Sequence, residues 1–99
     1  MNATELKKAK VKAALTFLEQ NYGAIPEAGG GSNFYLYLTH QGEEFSGQFS
    51  RRDFTVTFYD STTLAGNGWT AQERKHQANA VQLENEINQK LEAIVESIG

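Results

Sequence analysis

The stretch FYLYLTHQGEEFSGQFSRRDFTVTFY, residues 34–59, alternates apolar and polar side chains three times. The alternation is interrupted at residues 40–43 (HQGE) and 51–53 (RRD), which have the composition of tight turns. A repeat of two is typical of a β-strand, because successive side chains point to opposite faces of the sheet. The stretch therefore predicts three antiparallel strands, over residues 34–39, 44–50 and 54–59.

The same alternation assigns the strand side chains to two faces. One face is apolar and has to be covered by helices, and it holds Phe34, Leu36, Leu38, Phe45, Phe49, Phe54, Val56 and Phe58. The opposite face is polar, carries tyrosine rings and is almost free of charge. Its members are Tyr35, Tyr37, Thr39, Glu44, Ser46, Gln48, Thr55, Thr57 and Tyr59.

The segment before the strands predicts a helix over residues 3–22. Asn2 and the acid three positions later have the spacing of a capping box. Gly23 is a typical residue just beyond a helix C-terminus, and Pro26 blocks continuation of the helix. Residues 27–33, with three consecutive glycines, are predicted to be a flexible connector.

The segment after the strands predicts a loop over residues 61–69 and then a long helix. Thr70 and Glu73 form a capping box, so the helix is expected to begin at Ala71 and to run to Ile98. Such a helix is long for a domain of this size, so it should overhang the domain, break, or pack against a second copy. The predicted fold is a single α+β domain over residues 1–99 with the order α-β-β-β-α. Both helices are expected on the phenylalanine side of a three-stranded sheet.

Composition limits the chemistry and the compartment. The 99 residues include no cysteine, which excludes disulfides, thiolate metal sites and cysteine nucleophiles. The first residues lack an apolar signal segment, and the longest apolar run is Phe34–Leu38, so we expect a cytoplasmic protein with no membrane contact. The absence of eukaryotic-type linkers and tails favours a bacterial or viral source.

The two histidines do not suggest an enzyme. His40 stands at a predicted turn close to Glu43 and Glu44, a set that could hold a cation or act as a base. A polar hairpin tip is the simpler interpretation. His76 lies in a polar stretch and is interpreted as part of a solvated helix face. We therefore predict no catalytic residue, no metal site and no cofactor.

The leading functional hypothesis is a small acidic protein that binds another protein stoichiometrically. Tyrosines at desolvatable positions are common in interface hot spots, and an ordinary exposed sheet face would carry more charge. The expected contact residues are Tyr35, Tyr37, Gln48, Thr55, Thr57 and Tyr59. Inhibitors, immunity proteins and phage-encoded anti-defence proteins such as anti-CRISPRs share this general character, and an adaptor role or a homodimer would use the same surface.

The alternative hypothesis is a dimeric nucleic-acid-associated protein. The net charge of −3 disfavours broad binding of phosphates, but residues 1–22 carry a net charge of +2. The expected phosphate contacts are Lys7, Lys8, Lys10, Lys12, Arg51 and Arg52.

Overall fold

A computed structural model describes residues 2–29, 31–62 and 68–99. Residues 63–67 of the predicted loop lie outside the described residues, and so does Gly30 of the glycine run. The elements follow the order α1 (Ala3–Tyr22), β1 (Ile25–Ala28), β2 (Asn33–His40), β3 (Glu43–Ser50), β4 (Thr55–Phe58), α2 (Tyr59–Thr62) and α3 (Ala71–Ile98). The α+β class, with a helix at each end of an antiparallel sheet, is confirmed.

Side-chain caps fix the ends of the two long helices. The Asn2 side chain accepts a hydrogen bond from the Glu5 N–H at 2.9 Å, and Gly23 ends α1 in the left-handed region at φ 64°. At the start of α3, Thr70 Oγ1 accepts from the Glu73 N–H at 3.1 Å, and a Glu73 carboxylate oxygen accepts from the Thr70 N–H at 3.0 Å. Each cap satisfies backbone donors that the helix leaves unpaired, and the predicted helix starts are correct.

The sheet has four antiparallel strands in the order β1-β2-β3-β4, so the prediction of three strands is wrong. The additional strand, Ile25–Ala28, pairs with β2 from Ile25 opposite Tyr37 to Ala28 opposite Phe34. It was missed because it is four residues long and contains a proline, and both features weaken the strand signal in a sequence. Part of the predicted connector over residues 27–33 is therefore sheet.

The last strand is shorter than predicted. Phe54 has a positive φ of 59° and closes the turn after β3, and its N–H donates to the Ser50 carbonyl at 2.8 Å. At the other end the chain turns into α2 at Tyr59. The strand predicted over residues 54–59 is thus limited to Thr55–Phe58, because both of its ends are needed for changes of chain direction.

The apolar face of the sheet forms the core beneath α1 and α3. Its fully buried rings are Phe49 and Phe58, which are both 0% exposed. Two other predicted core rings lie at the margin, where cations cover them: the Arg51 guanidinium is 4.7 Å from the Phe34 ring centre and Lys10 Nζ is 5.9 Å from that of Phe54. The core is completed by Ala14, Leu18, Tyr22, Ala24, Leu36, Leu38, Phe45, Val56, Ala80, Leu83, Ile87 and Leu91.

Helix α3 is continuous over 28 residues. Its length is about 42 Å at 1.5 Å per residue, and the longest dimension of the molecule is 52 Å. The first buried residue of the helix is Ala80, so the segment 71–79 carries no fully buried side chain. The helix is thus unbroken, whereas packing against a second copy stays a prediction.

The outer edge of β4 is closed by side chains of α3. Asn88 accepts from the Val56 N–H at 2.7 Å and donates to the Val56 carbonyl at 2.9 Å. Glu84 accepts from the Phe58 N–H at 2.8 Å. Two residues along a strand and four residues along a helix both span about 6–7 Å. Glu84 and Asn88 of α3 are therefore spaced so that each reaches one N–H of β4. These contacts occupy hydrogen-bonding groups that another strand would need.

No helix among the described residues combines the length and the apolar character needed to cross a bilayer.

Candidate functional site

The outer face of the sheet carries most of the exposed rings. The exposed fractions are 42% for Tyr35, 46% for Tyr37, 45% for Tyr59 and 61% for Ile25. Among the described residues, the only other exposed large apolar side chain is Val81 of α3. The tyrosine face is defined here as Ile25, Tyr35, Tyr37, Gln48, Thr55, Thr57 and Tyr59.

Strand register brings these residues together in adjacent rows. Tyr35 lies opposite Gln48, which in turn lies opposite Thr57. Ile25 of β1 lies opposite Tyr37 and extends the apolar area at the edge of the sheet. Ile25 was not predicted as a site residue because the strand that carries it was not predicted.

Gln48 links Asn33 and Tyr59 by side-chain hydrogen bonds across the middle of the face. Its side-chain oxygen accepts from Asn33 Nδ2 at 2.7 Å, and its Nε2 donates to the Tyr59 hydroxyl at 3.2 Å. Tyr59 thus lies over this face although it belongs to α2 rather than to a strand. Side chains that are already held in one arrangement lose less conformational entropy when a partner binds.

The predicted contact residues are not equally presented. Thr57 is exposed in the same row as Gln48, whereas Thr55 is half-buried and lies opposite Ser50 in the next row. Among the outward strand positions, charge is limited to Glu27, opposite Tyr35, and Glu44, opposite Thr39. The face therefore combines exposed rings with negative charge.

A second cluster centres on His76, for which the sequence favours a place on a solvated helix face. That interpretation is wrong. His76 Nδ1 lies 3.0 Å from a carboxylate oxygen of Glu43, and Nε2 lies 2.8 Å from one of Asp60. The imidazole also stacks on Phe45, with ring centres 4.9 Å apart and an angle of 8° between the planes. Asn79 donates to the other Glu43 oxygen at 2.7 Å.

Hydrogen bonds set the protonation behaviour of this cluster. The bond to Glu43 is the main reason that the pKa of His76 is raised, with a further contribution from Asp60. The bonds from His76 and Asn79 lower the pKa of Glu43. His40, the other candidate histidine, lies opposite Glu43 in the β2–β3 register and packs against Tyr22, with ring centres 5.9 Å apart. The only sequence signal for this cluster is the spacing of three between His76 and Asn79, which places both residues on one side of a helix.

A groove beside α1 collects most of the predicted basic residues. Its volume is about 580 Å³, and Lys7, Lys8, Lys12 and Arg51 line it, together with one acid, Glu19. Within the described part of the chain, Arg51 Nε is buried without a hydrogen-bond partner. The other two predicted cations do not line the groove, because Lys10 approaches Phe54 and Arg52 is exposed in the turn after β3.

Within residues 2–29, 31–62 and 68–99, no group of three histidine, aspartate or glutamate side chains is arranged to hold a metal ion. Comparison of the chain with protein-family models, curated proteins and solved structures finds no match.

Proposed function

We propose that this chain is a protein-binding module that acts by stoichiometric occlusion through the tyrosine face. The observation that carries the proposal is the grouping of Ile25, Tyr35, Tyr37 and Tyr59, all exposed, on one side of one sheet. Tyrosine supplies a large contact area, and its two side-chain torsions cost little entropy to fix. Its hydroxyl also pairs with polar groups of a partner.

The face, rather than an edge, is the part of the sheet suited to binding. The β4 edge is occupied by Asn88 and Glu84. The β1 edge contains Pro26, which has no N–H to donate to an added strand. A partner that contacts the sheet would therefore pack on side chains instead of extending the ladder.

The partner is expected to be a protein with a basic contact patch. Glu27 and Glu44 are the charged outward residues of the strands, and the net charge of the chain is −3. Arginine and lysine would pair with these carboxylates and pack over the tyrosine rings. In a cytoplasmic setting this is the mode of action of an inhibitor, an adaptor or a phage-encoded anti-defence protein, a comparison of character rather than of sequence.

Replacing Tyr35, Tyr37 and Tyr59 together by serine should lower affinity for the partner at least tenfold, because hot-spot tyrosines contribute more than about 1 kcal/mol each. Tagged wild-type and variant chains would be used to capture partners from lysate of the source cells. Mass spectrometry would identify a stoichiometric protein, and calorimetry with that purified protein would give both affinities. The 260/280 nm absorbance ratio would report nucleic acid in the eluate.

Val81→Ser is the matched control, because Val81 is 39% exposed but lies on α3, away from the sheet. Thermal melting by circular dichroism should show that both variants keep the fold. Equal affinity of the triple variant and the wild type for the captured protein would refute the use of the tyrosine face.

A dimeric nucleic-acid-associated protein is the second candidate, and the basic groove beside α1 favours it. Lys7, Lys8 and Lys12 reach the groove from one helix, and Arg51 approaches it from the turn after β3. Arg51 lines the groove and adds a fourth cation, whose guanidinium can pair with a phosphate.

If this groove binds nucleic acid, affinity should fall steeply with salt. Four phosphate contacts predict a loss on the order of 100-fold between about 50 and 200 mM salt. Fluorescence anisotropy with a labelled duplex would measure the slope. Lys7→Gln, Lys8→Gln and Lys12→Gln together should flatten it, whereas Lys10→Gln with Arg52→Gln should leave it unchanged. An affinity that does not change with salt concentration, or no binding at low salt, would eliminate this candidate.

A further inference from the structure

The cluster around His76 joins the start of α3 to β3 and α2, in addition to the bond of 2.6 Å by which Ser61 of α2 donates to Glu84 of α3. His76 and Asn79 come from the start of α3, Glu43 from the first position of β3, and Asp60 from α2. We define the His76 latch as these four residues. The segment 71–79 has no fully buried side chain, so the latch, with Phe45 beneath the imidazole, supplies much of its attachment to the sheet.

The geometry fixes the protonation state of the imidazole. A carboxylate only accepts hydrogen bonds, so each ring nitrogen that faces one must carry a proton. Both nitrogens of His76 face carboxylate oxygens, at 3.0 Å and 2.8 Å. The latch as observed thus requires the imidazolium, and loss of one proton removes one hydrogen bond and both charge pairings.

The latch also reaches the tyrosine face. Asp60 follows Tyr59 directly in α2, and the Tyr59 hydroxyl is held by Gln48 on the outer side of the sheet. A displacement of Asp60 therefore moves the residue that carries one of the three exposed tyrosine rings.

We propose that protonated His76 holds α2 and the start of α3 in place, so that loss of its proton displaces Tyr59 and reshapes the tyrosine face. This inference rests on the proposed function only for the effect that the displacement of Tyr59 would have on partner binding. The displacement itself is a property of the free chain.

The charged groups around His76 determine the direction of the response. Glu43 faces it from β3 and Asp60 from α2, while Glu44 of β3 and Glu73 of α3 border the same cleft. Lys75 of α3 lies near Glu43 and is the opposing cation. Acids dominate, which agrees with the raised pKa of His76.

The sign of the pH dependence follows from the two pKa shifts. Because the folded-state pKa of His76 is raised, its contribution to stability is complete below the ordinary value of about 6.5 and is lost as pH rises through the raised value. Because the pKa of Glu43 is lowered, its contribution is lost as pH falls through that lowered value. The latch is therefore closed in mildly acidic solution and opens as pH rises through the raised pKa of His76 or falls through the lowered pKa of Glu43.

The test follows the free protein by NMR between about pH 5.5 and pH 9, a range that spans the ordinary histidine pKa. The His40→Gln variant serves as the reference, because it leaves His76 as the only histidine. The His76 ring protons, the Tyr59 ring protons and the amides of residues 72–79 should titrate with one midpoint. Hydrogen-exchange protection of those amides, corrected for intrinsic rates, should fall at least tenfold, while that of residues 85–92 should stay constant.

Adding His76→Gln to this reference should abolish the titration and leave Tyr59 at its high-pH chemical shift throughout. Asp60→Asn should uncouple Tyr59 from His76 while the His76 titration persists. Tyr59 signals that do not follow His76, or a titration that survives His76→Gln, would overturn the inference. These readouts need no partner, so their failure is distinct from failure of the tyrosine face to bind a protein.

Discussion

Replacing Gly47 by alanine should lower the free energy of unfolding by about 3 kcal/mol or more, at the upper end of the range for overpacked positions. Gly47 lies opposite Leu36 on one side and Phe58 on the other. A Cβ atom at this position would lie 2.7 Å from the Phe58 Cα and 2.9 Å from the Thr57 carbonyl carbon. Real Cβ atoms do not approach backbone so closely, so β3 and β4 would have to separate.

The measurement is urea denaturation followed by circular dichroism. Ser46→Ala is the matched control, since it changes the neighbouring residue, whose side chain points to the other face. The control should alter the midpoint little. A Gly47→Ala chain with wild-type stability would contradict the close approach of β4 to β3 at this position.

The constraint at Gly47 is a feature of the fold that the sequence does not predict. The alternation of Phe45 and Phe49 around it assigns position 47 to the core side. It does not reveal that β4 lies so near that only hydrogen fits, because the approach is to the backbone of Thr57 and Phe58 on the neighbouring strand. The departure of the chain from the sheet at Tyr59, which shortens the predicted last strand, is likewise absent from the alternation.

The two long helices and strands β2, β3 and β4 were predictable because their signals are local. Caps at Asn2 and Thr70 and the period of two over residues 34–58 each lie within a few residues of the element they define. Strand β1 lacks such a signal. Its four residues form a strand because β2 offers them a free edge directly after α1 ends, which is a tertiary effect.

The two candidate sites also differ in whether a local sequence pattern predicts them. The tyrosine face follows from alternation within strands, so the sequence assigns most of its members to one side of the sheet, whereas Ile25 depends on strand β1, which the sequence does not predict. The His76 latch joins residues 16 and 33 positions apart through side chains alone. No periodicity connects such positions, and a polar helix start with a histidine has the same appearance whether solvated or bound.

Asn88→Ala is expected to cost about 2–6 kcal/mol of unfolding free energy, because it leaves two backbone groups without their partners at about 1–3 kcal/mol each. Asn88 accepts from the Val56 N–H and donates to the Val56 carbonyl. Val56 is 1% exposed, so solvent cannot readily replace either bond. Urea denaturation again gives the measurement, with Asn85→Ala, an exposed residue one turn earlier, as the control.

The same substitution should change the behaviour of the sheet edge as well as its stability. Without Asn88, Val56 presents a free donor and a free acceptor at the end of the sheet, which is the pattern that recruits another strand. We therefore expect Asn88→Ala to self-associate as its concentration rises, measured by sedimentation velocity, while Asn85→Ala behaves as the wild type does. A variant that is destabilised without associating would show that Glu84, bonded to the Phe58 N–H, closes the edge by itself. A variant with unchanged stability would contradict the role assigned to Asn88. Under either of the first two outcomes, side chains of α3 close the β4 edge of the sheet.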